Sequence, residues 1–100
     1  MRRVLSYIQE NFRGDVSRKR ISSELGYSPE HISRVFHTYL GKGLSEYVNE
    51  LRLSYIDSLI EDGDARSITE LIYDAGFGSQ QTYYRERKKA EKKGNQISFS

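Results

Sequence analysis

The chain has 100 residues, a hydrophobic fraction of 36% and a formal net charge of +2, which allows a single domain or two very small lobes. It contains no cysteine, so a disulfide framework, a thiolate metal site and a cysteine nucleophile are excluded. No apolar run approaches the roughly 18 residues of a membrane span. We expect a soluble, cytoplasmic protein with no membrane partner.

Helical periodicity runs along the whole chain, and capping residues divide it into segments. The apolar positions of the first helix are Val4, Leu5, Ile8 and Phe12. This helix is expected to stop at Gly14. Ser17 is expected to cap a second helix, which ends at Gly26.

The third helix has a strong start signal, because Ser28 is a capping residue and Pro29 occupies the first helical position. Gly41 closes this helix. Its expected core side carries Ile32, Val35, Phe36, Tyr39 and Leu40.

A long fourth helix is predicted to open at Ser45 and to end in the acidic turn 61–64. Its apolar positions are Tyr47, Val48, Leu51, Tyr55, Ile56, Leu59 and Ile60. Ser67 and Glu70 have the spacing of a capping box for a short helix that runs to about residue 75, and Ser79 is expected to cap the last helix. Alternation typical of strands never persists, so the predicted fold class is all-α.

Two segments of the chain, about fifty residues apart, have similar sequences and form a weak internal repeat. The sequence ISSELGY at 21–27 matches LIYDAGF at 71–77, and each copy is followed by a capping serine, a helix and an arginine, Arg34 or Arg85. A short helix, a glycine turn with an aromatic residue and a second helix form the pattern of a helix-turn-helix. Two copies in register indicate two such motifs.

Positive charge is concentrated near the end of the chain. Residues 79–93 contain six cations against two acidic residues, a net charge of +4. The cations are Arg85, Arg87, Lys88, Lys89, Lys92 and Lys93. A patch of one sign favours a polyanionic partner, although a solubilising helix end with cations at its C-terminus is the alternative.

Three segments have a familiar combination of residues and spacing: ISSELGYSPEHISRVF, LGKGLSEYVNELRL and SITELIYDAGFGSQQTYYR with the following KK. On these segments, the chain resembles the DNA-binding domain of the AraC/XylS-type transcription regulators of bacteria. The resemblance implies two helix-turn-helix lobes, over 1–44 and 63–93, joined by a linker helix over 45–62. A tail over 94–100, for which disorder is an option, completes the chain.

The second helix of each lobe would enter the major groove. In the second lobe, Gln80 and Gln81 have side chains that can hydrogen-bond with N6 and N7 of adenine, and Arg85 has one that can hydrogen-bond with O6 and N7 of guanine. Thr82 or Tyr84 can contact a thymine methyl group. Tyr83 is assigned to the core, as are most of the eight tyrosines.

In the first lobe, Ser33, Arg34 and Glu30 match base-contact positions of the family. Glu30 can accept from cytosine N4 or simply complement the helix N-terminus, and the sequence leaves both readings open. The predicted phosphate contacts are Ser28, His37, Ser79, Lys88 and Lys89, with Arg87, Lys92 and Lys93 as further candidates.

The chain departs from the family pattern at several positions. Ser22 and Ile72 stand where the family has a small residue, and an overpacked isoleucine typically costs about 1–3 kcal/mol. Arg87 stands where the family has a core phenylalanine, and the ending GNQISFS is atypical. We therefore expect a looser second lobe or a last helix that frays beyond Lys88.

The predicted function is sequence-specific binding of double-stranded DNA at two adjacent major-groove segments. The alternative is DNA binding through the first lobe only, with the second lobe used for protein interaction, for instance with RNA polymerase. No catalytic motif, metal site or cofactor site is recognised, so no enzyme activity is expected. The family usually places a sensor or dimerisation domain before this module, although some members consist of the module alone.

Overall fold

A computed structural model describes the backbone of residues 2–97 and the side chains of residues 2–92. This part of the chain is helical and contains no strand, which confirms the all-α fold class. The helices are α1 (Arg2–Asn11), α2 (Arg18–Leu25), α3 (Pro29–Leu40), α4 (Leu44–Glu61), α5 (Ile68–Asp74) and α6 (Gln80–Ile97). Within the described residues, no helix has both the length and the apolar character to cross a membrane.

The first compact unit comprises Met1–Leu51 and therefore includes α1, α2, α3 and the first part of α4. Apolar faces of these helices form one core, which removes apolar surface from water and stabilises the unit. Its buried members are Val4, Ile8, Val16, Ile21, Ile32, Phe36, Leu44 and Val48. The second helix of the motif, α3, is thus held by Ile32 and Phe36, which are buried almost completely.

The second unit comprises Arg52–Ser100 and has its own core, built from the end of α4, from α5 and from α6. The buried members are Leu53, Ile56, Leu71, Ile72, Ala75, Phe77 and Tyr83. The division between the units falls inside α4, which supplies apolar residues to both cores. The lobe boundaries expected from the sequence stay a prediction.

Capping serines fix the starts of α2, α3 and α5 where the sequence predicted them, whereas α4 begins at Leu44, one residue before the predicted Ser45. Ser17, Ser28 and Ser67 lie in extended backbone, and each hydroxyl accepts a hydrogen bond from a backbone N–H three residues later. Glu70 completes the capping box by accepting from the Ser67 N–H at 3.3 Å. These bonds satisfy donors that the first turn of a helix leaves without partners.

Gly41 ends α3 in the left-handed conformation, with φ at 68°. An L-residue in this region costs about 1–2 kcal/mol. We expect Gly41→Ala to destabilise the first unit by that amount, as measured by urea unfolding. Gly14→Ala is the matched control, because Gly14 lies in the same unit, outside this region, and an added Cβ would make an ordinary 3.7 Å contact. Equal stability of the two variants would contradict the account.

Several apolar predictions were wrong. Tyr39 and Ile60, placed on core faces by their helical spacing, are 70% and 52% exposed. Tyr73 is also exposed, but five of the eight tyrosines agree with the core assignment, because Tyr83 is buried and four others are partly buried against the cores: Tyr7, Tyr27, Tyr47 and Tyr55. Tyr39 and Ile60 lie near the ends of α3 and α4, where the neighbouring Leu40 and Leu59 are the side chains that pack against the cores.

The structure accommodates both residues that replace the family's small one. The Ser22 hydroxyl donates to the Tyr27 carbonyl and so ties α2 to the turn that precedes α3. Ile72 is completely buried within the second core. The backbone of α6 continues past Lys88 to Ile97 and includes residues 94–97 of the expected tail, whereas 98–100 lie outside the described residues.

Candidate nucleic-acid interface

Helix α6 presents one continuous exposed face to solvent. Gln80, Gln81, Tyr84, Arg85 and Lys88 are all exposed. Residues four apart lie on the same side of a helix, so the pairs 80 and 84, 81 and 85, and 84 and 88 are neighbours. The face therefore runs from amide side chains in the first turn to cations in the second and third turns. This is the order that the sequence predicted.

The opposite side of α6 anchors the helix in the second core. Tyr83 is 5% exposed, and its ring meets the Phe77 ring edge-on with 5.6 Å between centroids. Such an aromatic pair contributes about 0.5–1.5 kcal/mol beyond its buried area. Phe77, the aromatic residue of the turn, therefore anchors α6 through Tyr83. This contact determines which side of α6 is exposed to solvent. The assignment of Tyr83 to the core is confirmed.

The start of α6 is held by two hydroxyl groups. Ser79 Oγ accepts from the Thr82 backbone N–H at 3.1 Å and lies 3.0 Å from Thr82 Oγ1. Both side chains are half-buried. Thr82 thus contributes to the cap, which sets it apart from the exposed Gln80 and Gln81. Next to this turn, Thr69 of α5 donates to Gln80 Oε1 at 3.5 Å, the outer limit of a hydrogen bond.

A carboxylate to which the sequence assigned no role lies beneath the cations of α6. Glu86 is 8% exposed, and its Oε2 is 3.3 Å from both Arg85 Nε and Lys89 Nζ. Arg85 and Lys89 themselves remain 63% exposed. Glu86 and Lys89 are three residues apart, a spacing that predicts an ion pair on a helix from the sequence alone. The sequence gives no sign that Glu86 is buried.

Arg87 does not belong to the exposed cationic face. Its guanidinium forms two hydrogen bonds to Asp57, at 2.7 and 3.1 Å, and Nε donates to the Tyr83 hydroxyl at 3.2 Å. Burial lowers the pKa of Arg87, but the bonds to Asp57 and Tyr83 outweigh it, so the pKa is raised above its usual value. Arg87 therefore links α6 to α4, and this pairing disfavours the phosphate contact for which the sequence made it a candidate.

Helix α3 has a corresponding exposed face in the first unit. Glu30, His31, Arg34 and His37 are exposed along it, and Arg34 Nη2 lies 3.4 Å from His31 Nδ1. The Ser28 hydroxyl caps this helix by accepting from the His31 backbone N–H at 3.1 Å. The backbone N–H groups of the first turn therefore face the end where the sequence predicted a phosphate.

Ser33 is half-buried, unlike the exposed Glu30 and Arg34, and has a partner that the sequence did not reveal. Arg18, in the first turn of α2, donates from Nη1 to Ser33 Oγ at 2.8 Å. This bond places a second guanidinium beside the exposed face of α3. No spacing rule connects residues 15 apart, so only the packing of α2 against α3 brings them together.

The two units share one spacing. Arg34 follows the capping Ser28 by six residues, and Arg85 follows Ser79 by six residues. Both arginines are exposed, and both helices are preceded by a turn whose aromatic residue, Tyr27 or Phe77, packs against a core.

Arg52 has a different environment from these two exposed arginines. Its guanidinium lies 5.8 Å from the centre of the Phe77 ring, and burial lowers its pKa. Among the described residues, no group of three acidic or histidine side chains is placed to hold a metal ion.

Comparisons with known proteins agree with this geometry. A family model described as a helix-turn-helix domain matches residues 21–93. The multiple antibiotic resistance protein MarA of Escherichia coli (strain K12) is 29% identical over 82 residues, which are 82% of this chain and 64% of MarA. The XylDLEGF operon transcriptional activator of Pseudomonas putida is 31% identical over 77 residues, 75% of this chain and 24% of that protein.

The fold is also found among solved structures. A protein of unknown function from Listeria innocua superimposes with a TM-score of 0.80 and 25% identity, over 88% of this chain and 83% of that one. These findings and the capped, arginine-bearing helices define a helix-turn-helix protein. The chain belongs to the AraC/XylS-type family of DNA-binding transcription regulators, a family of regulators rather than enzymes. The resemblance seen in the sequence is confirmed.

Proposed function

We propose that this domain binds double-stranded DNA in a sequence-specific manner and that α3 and α6 read neighbouring major-groove segments. The observation that carries the proposal is the shared spacing of the two units: an exposed arginine lies six residues after each capping serine, Ser28 or Ser79. Recognition helices use their N-terminal residues to contact base edges, and arginine is the side chain that most often contacts guanine.

The exposed faces supply chemically distinct contacts. We assign Arg34 and Arg85 to guanine O6 and N7, and Gln80 and Gln81 to adenine N6 and N7. Tyr84 is 52% exposed, beside these glutamines, and suits a thymine methyl group. The assigned phosphate contacts are Ser28, His37, Ser79, Lys88 and Lys89. The bond from Arg18 to Ser33 adds a cation to this set, because a guanidinium at the edge of α3 can also meet a phosphate.

The test begins with selection of a preferred duplex from random sequences, followed by titration at several salt concentrations. Neutralised phosphates release counterions, so the logarithm of the binding constant should fall with the logarithm of the salt concentration, with a slope of about −3 to −5 for a few such contacts. The bound duplex should show two protected segments about one helical turn, roughly 34 Å, apart. Binding that is indifferent to salt, or that prefers no sequence, would contradict the proposal.

A second candidate function gives the base-reading role to α3 alone. Its motivation is that Arg85 and Lys89 are both paired with Glu86, and Arg87 with Asp57, so much of the charge of α6 is engaged within the domain. The second unit would then be a surface for a protein such as RNA polymerase. In that case Gln80→Ala and Gln81→Ala would leave duplex affinity unchanged, and one protected segment would be seen. A sensor or dimerisation domain elsewhere in the polypeptide stays a prediction.

A further inference from the structure

Glu86 is an acidic residue in an unexpected place, because it is buried on a helix whose outer face is cationic. Removing a carboxylate from water is unfavourable unless charged or hydrogen-bonding partners replace the water. The partners here are Arg85 Nε and Lys89 Nζ, each 3.3 Å from the same oxygen, Oε2. Glu86 is too deeply buried to approach DNA itself, so any influence on binding must act through these two cations.

The geometry of the Arg85 contact separates two parts of its guanidinium. The bond to Glu86 uses Nε, and the terminal Nη1 and Nη2 take no part in it. The guanidinium is planar, so a partner fixed at Nε restricts the plane in which the terminal N–H groups can lie. A bidentate contact with guanine needs two parallel N–H donors in a defined plane.

We propose that Glu86 is a positioning residue that orients Arg85 for guanine and thereby increases discrimination between sequences. The proposal rests on the proposed function of α6. An arginine that is held before binding loses less side-chain freedom when it meets its base. The buried negative charge also opposes general attraction to phosphates, so it weakens binding to unrelated duplexes. Both effects act in the direction of greater sequence discrimination.

The test compares Glu86→Gln with Glu91→Gln. Both changes remove one negative charge from α6, but Glu91 is exposed, whereas Glu86 contacts Arg85. Glutamine has the size of glutamate, but a hydrogen bond to a charged acceptor is roughly twice as strong as a neutral one. The measured quantity is the loss of affinity when 7-deazaguanine replaces the guanine on which Arg85→Ala has its effect. A change in stability alone would not alter this ratio.

We expect Glu86→Gln to reduce the ratio about threefold, which corresponds to about 0.7 kcal/mol, and to tighten binding to a random duplex about twofold. Glu91→Gln should keep the wild-type ratio. Glu86→Met, which fills similar space without an acceptor, should lower the ratio further, and thermal unfolding checks that each variant is folded. A wild-type ratio in both Glu86 variants would overturn the inference, whereas a wild-type domain with no preference for any duplex would overturn the proposed function itself.

Discussion

Replacing Arg34 or Arg85 by alanine is expected to weaken binding to a preferred duplex by about 5-fold to 150-fold, because a bidentate base contact is worth about 1–3 kcal/mol. Both side chains are exposed and lie on helices whose opposite sides are buried, so their removal leaves the cores intact. The affinity for random duplexes should fall much less, because these variants lose one positive charge there but no specific contact with a base. Fluorescence anisotropy with labelled duplexes measures both affinities.

Matched controls are available in each unit. Arg20 is paired with Glu24 at 3.2 Å, and Arg66 is paired with Asp64 at 2.9 Å. Arg20→Ala and Arg66→Ala each remove one positive charge, as Arg34→Ala and Arg85→Ala do, but the arginine that is lost is one that forms an ion pair within the domain. We expect these controls to change affinity by less than about threefold. If they cost as much as Arg34→Ala and Arg85→Ala, overall charge rather than base reading would explain the binding.

Ile72→Ala is expected to destabilise the second unit by about 2–5 kcal/mol, although alanine is the usual residue at this place in the family. Ile72 is completely buried, and its side chain contributes to the same core as Leu71, Phe77 and Tyr83. Truncation would lose buried methyl groups and leave a cavity that a close-packed core closes only in part. The free energy of unfolding, measured in urea, should fall by a large part of the marginal stability that small domains have.

Ile60→Ala is the matched control for this prediction. Ile60 lies in the same unit but is 52% exposed, so its replacement should change stability by no more than about 0.5 kcal/mol. The sequence alone suggested the opposite result for Ile72, because an isoleucine at a small-residue position would be overpacked. A stabilised Ile72→Ala variant would show that this strain exists and that the packing described here is wrong.

Local features of the fold could be predicted from the sequence because neighbouring residues determine them. Ser28 followed by Pro29, Ser67 with Glu70, and Gly41 at a helix end act within a single turn, and the structure contains each of these caps. Helical periodicity also predicted much of each core, but it missed Leu44 and Leu53 of α4, which are buried. The predictions for Tyr39 and Ile60 were wrong because two adjacent apolar residues both fit the helical spacing, and only Leu40 and Leu59 of these pairs pack against a core.

The candidate interface was predictable in composition but not in its internal contacts. Gln80, Gln81 and Arg85 lie on an exposed face, as helical spacing requires. The hydrogen bond from Arg87 to Asp57 joins residues 30 positions apart in the sequence. No local rule therefore predicted that this arginine would pair within the domain and not lie on the exposed cationic face. Arg18 and Ser33 meet for a similar reason, across α2 and α3. Such contacts depend on tertiary packing, which one sequence does not reveal.

Guanine methylation interference on the selected duplex tests most directly whether both helices read DNA. Methylation at N7 blocks the contact that an arginine makes, so wild-type binding should be inhibited at two clusters of guanines about one helical turn apart. Arg34→Ala should abolish the dependence on one cluster, and Arg85→Ala the dependence on the other. A single cluster, or the same pattern in both variants, would contradict the account.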